Sequence, residues 1–125
     1  MSDIPESLVH YLAAWNETDS SKVRGHLDRS CAADVLFVDP LHTTRTIDDL
    51  EQMILAAREE RPTASYHRTS GVDGHNLRYR YLWEVRVDGK TVVPGMDVAT
   101  VNEAGMLVQI DGFFGPIPEL DATNS

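Results

Sequence analysis

Two aspartates and one tyrosine stand on otherwise apolar segments, where side chains that can give or take a proton need an explanation. Asp97 lies inside the apolar run 92–101, and burial there would favour the protonated form of its carboxyl group. Asp39 directly follows the apolar run 35–38, and Tyr11 lies on the apolar stripe of a predicted helix. Carboxyl and phenol groups of this kind are candidates for general acid–base chemistry on an organic ligand.

Each of these residues also has an ordinary structural explanation. Asp97 would face solvent if a bulge at Pro94 and Gly95 shifted the strand by one residue, because such a slip exchanges the two faces. An aspartate before a proline, such as Asp39, is common in plain turns. Tyr11 would be a core tyrosine whose hydroxyl finds a nearby partner. The pattern alone leaves both explanations open for all three residues.

The remaining polar residues favour neither a metal nor a nucleotide site. The histidines lack the i, i+4 pair and the carboxylate cluster typical of zinc and iron sites: His10, His26, His42, His67 and His75. The glycines lack the strand–glycine–helix context of a phosphate-binding loop. Cys31 is the only cysteine, so an intrachain disulfide is excluded and a structural role is expected. We therefore expect no metal and no cofactor.

Length and charge narrow the class of protein further. The chain has 125 residues, which suits one domain, and 20 acidic against 11 basic residues give a net charge of -9. Such a charge repels nucleic acid and anionic membrane surfaces, so neither is an expected partner. No apolar run approaches the roughly 20 residues that span a bilayer, and residues 1–5 lack a basic export signal. The expected location is cytoplasmic.

Apolar periodicity predicts three helices in the first half of the chain. The first covers about residues 5–16, with a cap at Ser2 or Asp3, and the second starts after Asp19. The third follows the capping pattern at Thr46 and continues to Pro62. Each helix has an apolar stripe that must be buried against another layer.

The second half of the chain reads as strands. A short strand at 35–38 is followed, after the third helix, by strands at about 64–72, 76–87, 91–101 and 106–114. Turn signals at Asp88 and Gly89 and at residues 102–105 join the last three into a meander. This order predicts an α+β fold in which three N-terminal helices pack on one face of a curved, mainly antiparallel sheet. We expect one domain over residues 1–118 and a loose tail over 119–125.

The two faces of the strands carry different information. Tyr79, Tyr81 and Trp83 alternate with charged residues, which predicts an aromatic inner face. The strand 91–101 is apolar on both sides, although helices can cover only one of them. We therefore expect the outer face to be an intersubunit surface and the protein to be a homodimer.

Several short patches of the sequence resemble a known family. Tyr11 four residues before Trp15, Asp39 and Pro40 ending a strand, and the runs 89–97 and 113–115 resemble the ketosteroid isomerase branch of the nuclear transport factor two-like superfamily. SnoaL-like polyketide cyclases are close relatives of that branch. The resemblance implies a cystatin-like cone of sheet and helices around a deep apolar pocket, dimeric through the outer sheet face.

The resemblance also implies roles for individual residues. Asp39 would be the general base, while Tyr11 and a protonated Asp97 would form an oxyanion hole for a hydrophobic carbonyl compound. His42 would be an exposed loop histidine or a substrate contact near the pocket mouth. The residues predicted to bind substrate beside these are Trp15, His42, Met53, Tyr79, Tyr81, Trp83, Asp111 and Phe113. The isomerase scheme does not require His42 or Asp111, which could serve another reaction.

Three functions stay open from the sequence. The first is cofactor-free proton transfer, as isomerisation or aldol cyclisation. The second is a noncatalytic ligand carrier or dimeric interaction module, since one fold supports many functions. The third is a hydrolase or dehydratase in which Asp39, Asp97 and Asp111 position water.

Overall fold

The computed structural model describes residues 4–123 of the chain. Three helices are present: α1 (Glu6–Asn16), α2 (Ser20–Asp28) and α3 (Ile47–Glu60). The strands are β1 (Cys31–Val38), β2 (Thr43–Thr44), β3 (Ser65–Arg68), β4 (Asp73–His75), β5 (Arg78–Val87), β6 (Lys90–Val101) and β7 (Leu107–Phe114). This architecture confirms the predicted α+β class with three helices packed on a curved sheet.

Side-chain caps determine where two of the helices begin. The Asp19 carboxylate accepts a hydrogen bond from the backbone N–H of Ser21 at the start of α2. Thr46 accepts from the Asp49 N–H at the start of α3, over 3.1 Å. These contacts satisfy backbone donors that the first helical turn leaves unpaired. The predicted caps of α1, Ser2 and Asp3, lie outside the described residues.

The sheet is ordered β2-β1-β7-β6-β5-β3, and β4 pairs with the other end of β5. Strands β5, β6 and β7 form the predicted meander, with positive φ angles at Asp88, Gly89 and Gly105 in its turns. Strand β1 pairs with β7 in the parallel direction, while the remaining pairings are antiparallel. The sheet is therefore mainly antiparallel, as predicted, and β7 lies between β1 and the meander.

Three predicted strand boundaries are wrong. The strand predicted at 35–38 begins four residues earlier, at Cys31. The strand predicted at 64–72 ends at Arg68, and a separate short strand that was not predicted, β4, follows it; both pair with β5. The strand predicted from Asn76 begins at Arg78, because Asn76 and Leu77 form a tight turn with φ angles of 49° and 68°. Asparagine tolerates this left-handed conformation well, so a turn replaces the first two residues of the expected strand.

The helices cover the inner face of the sheet. The largest fully buried apolar side chains join all three helices to β7, namely Leu8, Leu27, Leu50, Ile54, Leu107 and Ile110. Burial of such side chains is the main source of stability in a domain of this size. Residues 116–123 contain no helix or strand, and residues 124 and 125 of the predicted tail lie outside the described part. No helix within residues 4–123 has the length and hydropathy to cross a membrane.

Candidate functional site

A cavity of about 250 Å³ lies between α1, α3 and the inner face of the sheet. Its wall is mostly apolar and aromatic, and the exposed side chains of Leu41 and His42 lie at its rim. Small-molecule sites commonly have this character, with a few polar groups on an apolar surface. The structure brings together in this cavity the following predicted site residues: Tyr11, Trp15, Asp39, His42, Met53, Tyr81, Trp83 and Asp97.

Asp97 is buried on the inner face of β6, with 7% of the residue exposed. The Tyr81 hydroxyl donates to its Oδ2 atom over 2.9 Å, and the Trp83 indole Nε1–H donates to Oδ1 over 2.8 Å. Tyr81 lies directly opposite Asp97 in the sheet, whereas Trp83 lies opposite Gly95. A Cβ atom on Gly95 would fall 2.2 Å from the indole Cζ2. The missing side chain at Gly95 therefore lets the indole lie flat and reach Asp97.

Burial raises the pKa of Asp97 from 3.8 to about 6. The two hydrogen bonds lower this pKa, and the nearby Asp39 carboxylate raises it. The solvent-facing explanation of Asp97 is therefore wrong. Pro94 and Gly95 pair regularly with β5, and the irregular register lies between Val85 and Arg86 instead. A one-residue slip at Pro94 does not occur, so Asp97 stays on the inner face.

Asp39 lies at the end of β1, inside a turn that its own side chain stabilises. Its Oδ1 atom accepts hydrogen bonds from the backbone N–H groups of Leu41 and His42, over 2.8 and 2.7 Å. The His42 Nδ1 atom is 3.2 Å from the same oxygen. Within residues 4–123, every hydrogen bond to this carboxylate reaches Oδ1, which leaves Oδ2 for a ligand. The turn explanation and the site explanation of Asp39 are thus compatible.

Gly112 brings the two aspartates together. It lies opposite Asp97 in the antiparallel pair of β6 and β7. The parallel pairing of β1 with β7 places Asp39 on its other side. A Cβ atom on Gly112 would lie 3.1 Å from Asp97 Oδ1 and 3.4 Å from Asp39 Cβ. The two carboxyl side chains therefore flank one glycine, close enough for the charge of one to act on the other.

Two buried tyrosines complete the polar end of the cavity. Burial raises the pKa of Tyr11 well above 10, and the charge of Asp97 raises it further. The pKa of Tyr81 is raised by burial first, then by Asp97 and Tyr11. Both phenols therefore stay protonated at neutral pH and can act as hydrogen-bond donors.

An aromatic wall continues away from the carboxyl groups. The Trp15 ring lies 6.4 Å from the Phe37 ring and 5.0 Å from the Tyr66 ring. Met53 of α3 lines the cavity beside them. Aromatic contacts at these distances stabilise one another and leave apolar ring faces for a ligand.

Three of the residues predicted to contact substrate do not line the cavity. The Tyr79 ring packs against Gly74. A Cβ atom on Gly74 would fall 2.4 Å from the Cδ1 atom of this ring. Asp111 and Phe113 lie opposite Val98 and Met96 on the outer face of the sheet.

Sequence reasoning also missed cavity residues. Alternation along β7 turns Gly112 and Phe114 inward where Asp111 and Phe113 were expected. Tyr66 and Arg68 were missed because the prediction for 64–72 did not distinguish residues on the inner face of the sheet from those on its outer face. A glycine inside a strand is a signal for close approach of another group, and Gly112 carries that signal.

The remaining candidates for chemistry lie elsewhere or are inert. Burial raises the pKa of the Cys31 thiol to about 11, so it stays protonated at neutral pH. Within residues 4–123, no three side chains of His, Cys, Asp and Glu cluster as a metal ion requires. The polar end of the cavity is lined by the carboxyl groups of Asp39 and Asp97 and the phenols of Tyr11 and Tyr81. Groups of these types can exchange a proton with a bound ligand.

No family model and no curated protein matches the chain. Solved structures do match it. A proposed isomerase of the SnoaL-like family from Agrobacterium tumefaciens is 32% identical, with a TM-score of 0.83 over 88% of this chain and 95% of that chain. An identity of 32% over most of both chains indicates membership of the same family and not only a shared fold.

More distant structures share the fold. A proposed polyketide cyclase from Sinorhizobium meliloti is 14% identical, with a TM-score of 0.70 over 88% of this chain and 95% of that chain. A nuclear transport factor two-like protein of unknown function from Exiguobacterium is 17% identical, with a TM-score of 0.72 over 89% of this chain and 99% of that chain. These two structures show the shared fold, and the 32% identity to the Agrobacterium protein shows that this chain belongs to the SnoaL-like family.

Proposed function

We propose that this protein moves a proton within a hydrophobic carbonyl compound without a cofactor. One observation carries the proposal: Asp39 and Asp97 flank Gly112 at the polar end of an apolar cavity. Their surroundings differ, because Asp97 is enclosed by aromatic donors while Asp39 keeps Oδ2 open. Two carboxyl groups in unlike environments suit one acid and one base.

In the proposed reaction, Asp39 Oδ2 takes a proton from the carbon next to the carbonyl. The C–H electron pair forms a carbon–carbon double bond, and the carbonyl π electrons move to oxygen. Tyr11 and protonated Asp97 donate hydrogen bonds to this enolate oxygen. The new negative charge favours the protonated form of Asp97, as the Asp39 charge already does.

The second step decides the product. In an isomerisation, Asp39 returns the proton to another carbon of the same enolate. In an aldol cyclisation, the enolate carbon attacks a second carbonyl carbon, and the new alkoxide takes the proton from Asp39. Both outcomes need no oxidant, reductant or added group.

The experiment that tests the proposal measures hydrogen exchange at carbon. A cyclic enone is incubated in D₂O with the protein, and deuterium incorporation is followed by NMR. We expect Asp39→Asn to lower the exchange rate by about 10²-fold or more, the usual contribution of a positioned base. Asp34→Asn, the same change at an exposed position of β1, is the matched control and leaves the rate unchanged. If Asp39→Asn exchanges as fast as the wild type, Asp39 is not the base.

A noncatalytic ligand carrier is the second candidate. Both oxygens of Asp97 already accept hydrogen bonds from Tyr81 and Trp83, an arrangement that a purely structural carboxyl would also make. A carrier would bind a phenol and its deoxy analogue with equal affinity. An enolate-stabilising site prefers the phenol, so titration of this pair separates the two functions.

We also propose that two copies pair through the outer face of the sheet. That face exposes Leu82, Val92 and Phe113, at 48%, 46% and 54%. Apolar side chains grouped in this way favour a partner surface, and a second copy offers the same patch about a twofold axis. Light scattering at micromolar concentration tests the pairing, and a monomer contradicts it.

A further inference from the structure

Arg68 is a half-buried cation on the cavity wall, and no residue of 4–123 supplies an anion to pair with it. It lies on β3 opposite Trp83, on the face that turns toward the cavity. Its guanidinium donates one long hydrogen bond, of 3.4 Å, to the backbone carbonyl of Leu8. Within residues 4–123 no carboxylate lies within 4.0 Å of it. Most of its five N–H donors are therefore unused.

The other half-buried arginines of the described chain have partners. Arg24 contacts three carboxylates and Arg86 contacts Glu84. Arg58 donates to two backbone carbonyls and lies over the Tyr66 ring. Burial of a cation is unfavourable unless an anion or full hydrogen bonding compensates it. Within residues 4–123, Arg68 lacks the anion or full set of hydrogen bonds that these arginines have. A ligand bound in the cavity would supply it.

The nearest acid on the neighbouring strand does not supply the missing partner. Glu84 lies beside β3, but its carboxylate accepts from Arg86 and from the Thr91 hydroxyl. The charge of Arg68 does reach the site, since it lowers the pKa of Tyr81. Arg68 therefore faces the same cavity as Asp97 while making no contact with it.

The position of Arg68 suggests the shape of a ligand. Strands β3 and β6 are separated by β5, and Asp97 lies two residues along β6 from Gly95, the residue in line with Arg68 and Trp83. Two strand spacings across and two residues along place the Arg68 and Asp97 backbones roughly 12 Å apart. Both side chains project inward and shorten this span. A small molecule could then contact both, with its carbonyl oxygen at Asp97 and Tyr11 and its other end at Arg68.

We propose that the substrate carries a carboxylate, which pairs with Arg68 while its carbonyl group lies at Asp97. The planar guanidinium matches a carboxylate in two parallel hydrogen bonds, and its single positive charge balances a single negative one. This inference rests on the proposed function and adds the substrate class: a hydrophobic carbonyl compound with an acid group at the far end.

The test uses two ligands that differ only in charge. In 3-(4-hydroxyphenyl)propionate the phenol imitates the enolate and the carboxylate addresses Arg68, and 3-(4-hydroxyphenyl)propanamide is its neutral counterpart. Affinities are measured by isothermal titration calorimetry. We expect the wild type to bind the carboxylate about tenfold more tightly than the amide, the usual effect of a charge-assisted hydrogen bond. Arg68→Met brings this ratio close to one.

Control variants separate the explanations. Arg80→Met removes an exposed arginine paired with Asp73 and leaves the ratio unchanged. Arg68→Lys keeps the charge and retains part of the preference, so it serves if Arg68→Met fails to fold. Equal wild-type affinities, or no detectable carboxylate binding, overturn the proposal. An equal loss of affinity for both ligands in Arg68→Met also overturns the proposal. Arg68 would then affect binding only through the residues around Asp97.

The proposed function fails separately from this inference. Unchanged deuterium exchange in Asp39→Asn would contradict the proposed function. The Arg68 test instead measures a ratio of two binding affinities. A carrier with a carboxylate-specific cavity would keep the ratio and show no exchange.

Discussion

Replacement of Asp97 by asparagine tests whether burial controls the charge of this side chain. The substitution keeps the volume and removes the titration, because an amide stays neutral at every pH. It also removes an acceptor, since the amide nitrogen cannot accept the hydrogen bond of Tyr81 or Trp83. That loss costs about 1–3 kcal/mol and does not depend on pH. The pH-dependent part of the change in stability therefore reports mainly on the Asp97 carboxyl.

The sign and size of that part follow from the two pKa values. Asp97 has a pKa of about 6 in the folded protein against 3.8 as its ordinary value. The folded state therefore holds the proton more tightly, and the free energy of unfolding falls as pH rises through this interval. About 2 pKa units correspond to about 3 kcal/mol in total, of which about 2 kcal/mol are lost between pH 4.5 and pH 7.5.

Urea unfolding followed by tryptophan fluorescence measures this effect in both proteins at the two pH values. Carboxylates that do not interact with Asp97 titrate equally in both proteins, so their contributions cancel in the difference. Asp39 and Asp111, whose charges raise the pKa of Asp97, leave a smaller contribution. We expect the stability of Asp97→Asn relative to the wild type to improve by about 2 kcal/mol from pH 4.5 to pH 7.5. For a domain of this size that is a relative shift of about 1 M in the urea midpoint. Parallel curves for the two proteins would refute the raised pKa, and with it the role of Asp97 as a proton donor.

Two further substitutions test the frame around the site. Gly112→Ala places a methyl group 3.1 Å from Asp97 Oδ1, so the carboxyl must move by a few tenths of an ångström and weaken its bond with Trp83. We expect deuterium exchange at the enone carbon to slow by about tenfold or more, and an unchanged rate would show that this spacing is unimportant. Thr46→Ala removes the cap on the Asp49 N–H and costs about 1 kcal/mol in urea unfolding. The same variant should bind the phenol ligand like the wild type, and weaker binding would mean that α3 positions the cavity more directly.

Local signals in the sequence determined much of the fold. The Asp88 and Gly89 turn has the positive φ angles that its residue types favour, and the strands on either side pair as expected. The apolar spacing of α3 and its cap at Thr46 predict a helix that the structure confirms. These features depend on neighbours within a few residues, which is why a single sequence carries them.

The site was less predictable because it depends on contacts between distant strands. Alternation shows which residues share a face, but it does not show which strand lies next to which. The parallel pairing of β1 with β7 sets Asp39 beside Gly112, and no local pattern indicates it. The fit of Trp83 over Gly95 likewise becomes visible only when the register of β5 and β6 is known. The placement of Asp111 and Phe113 away from the cavity was unpredicted for the same reason.

The place of β7 in the sheet has a consequence for how the chain acquires its fold. This strand is the seventh along the chain, yet it joins β1 to β6. While the ribosome is still making it, β1 has no neighbour except the short β2, and the apolar faces of the three helices have only part of their sheet to pack on. Such long-range closure slows folding. We therefore expect nascent chains that stop before residue 107 to be protease-sensitive, and chains that include β7 to become resistant in a single step.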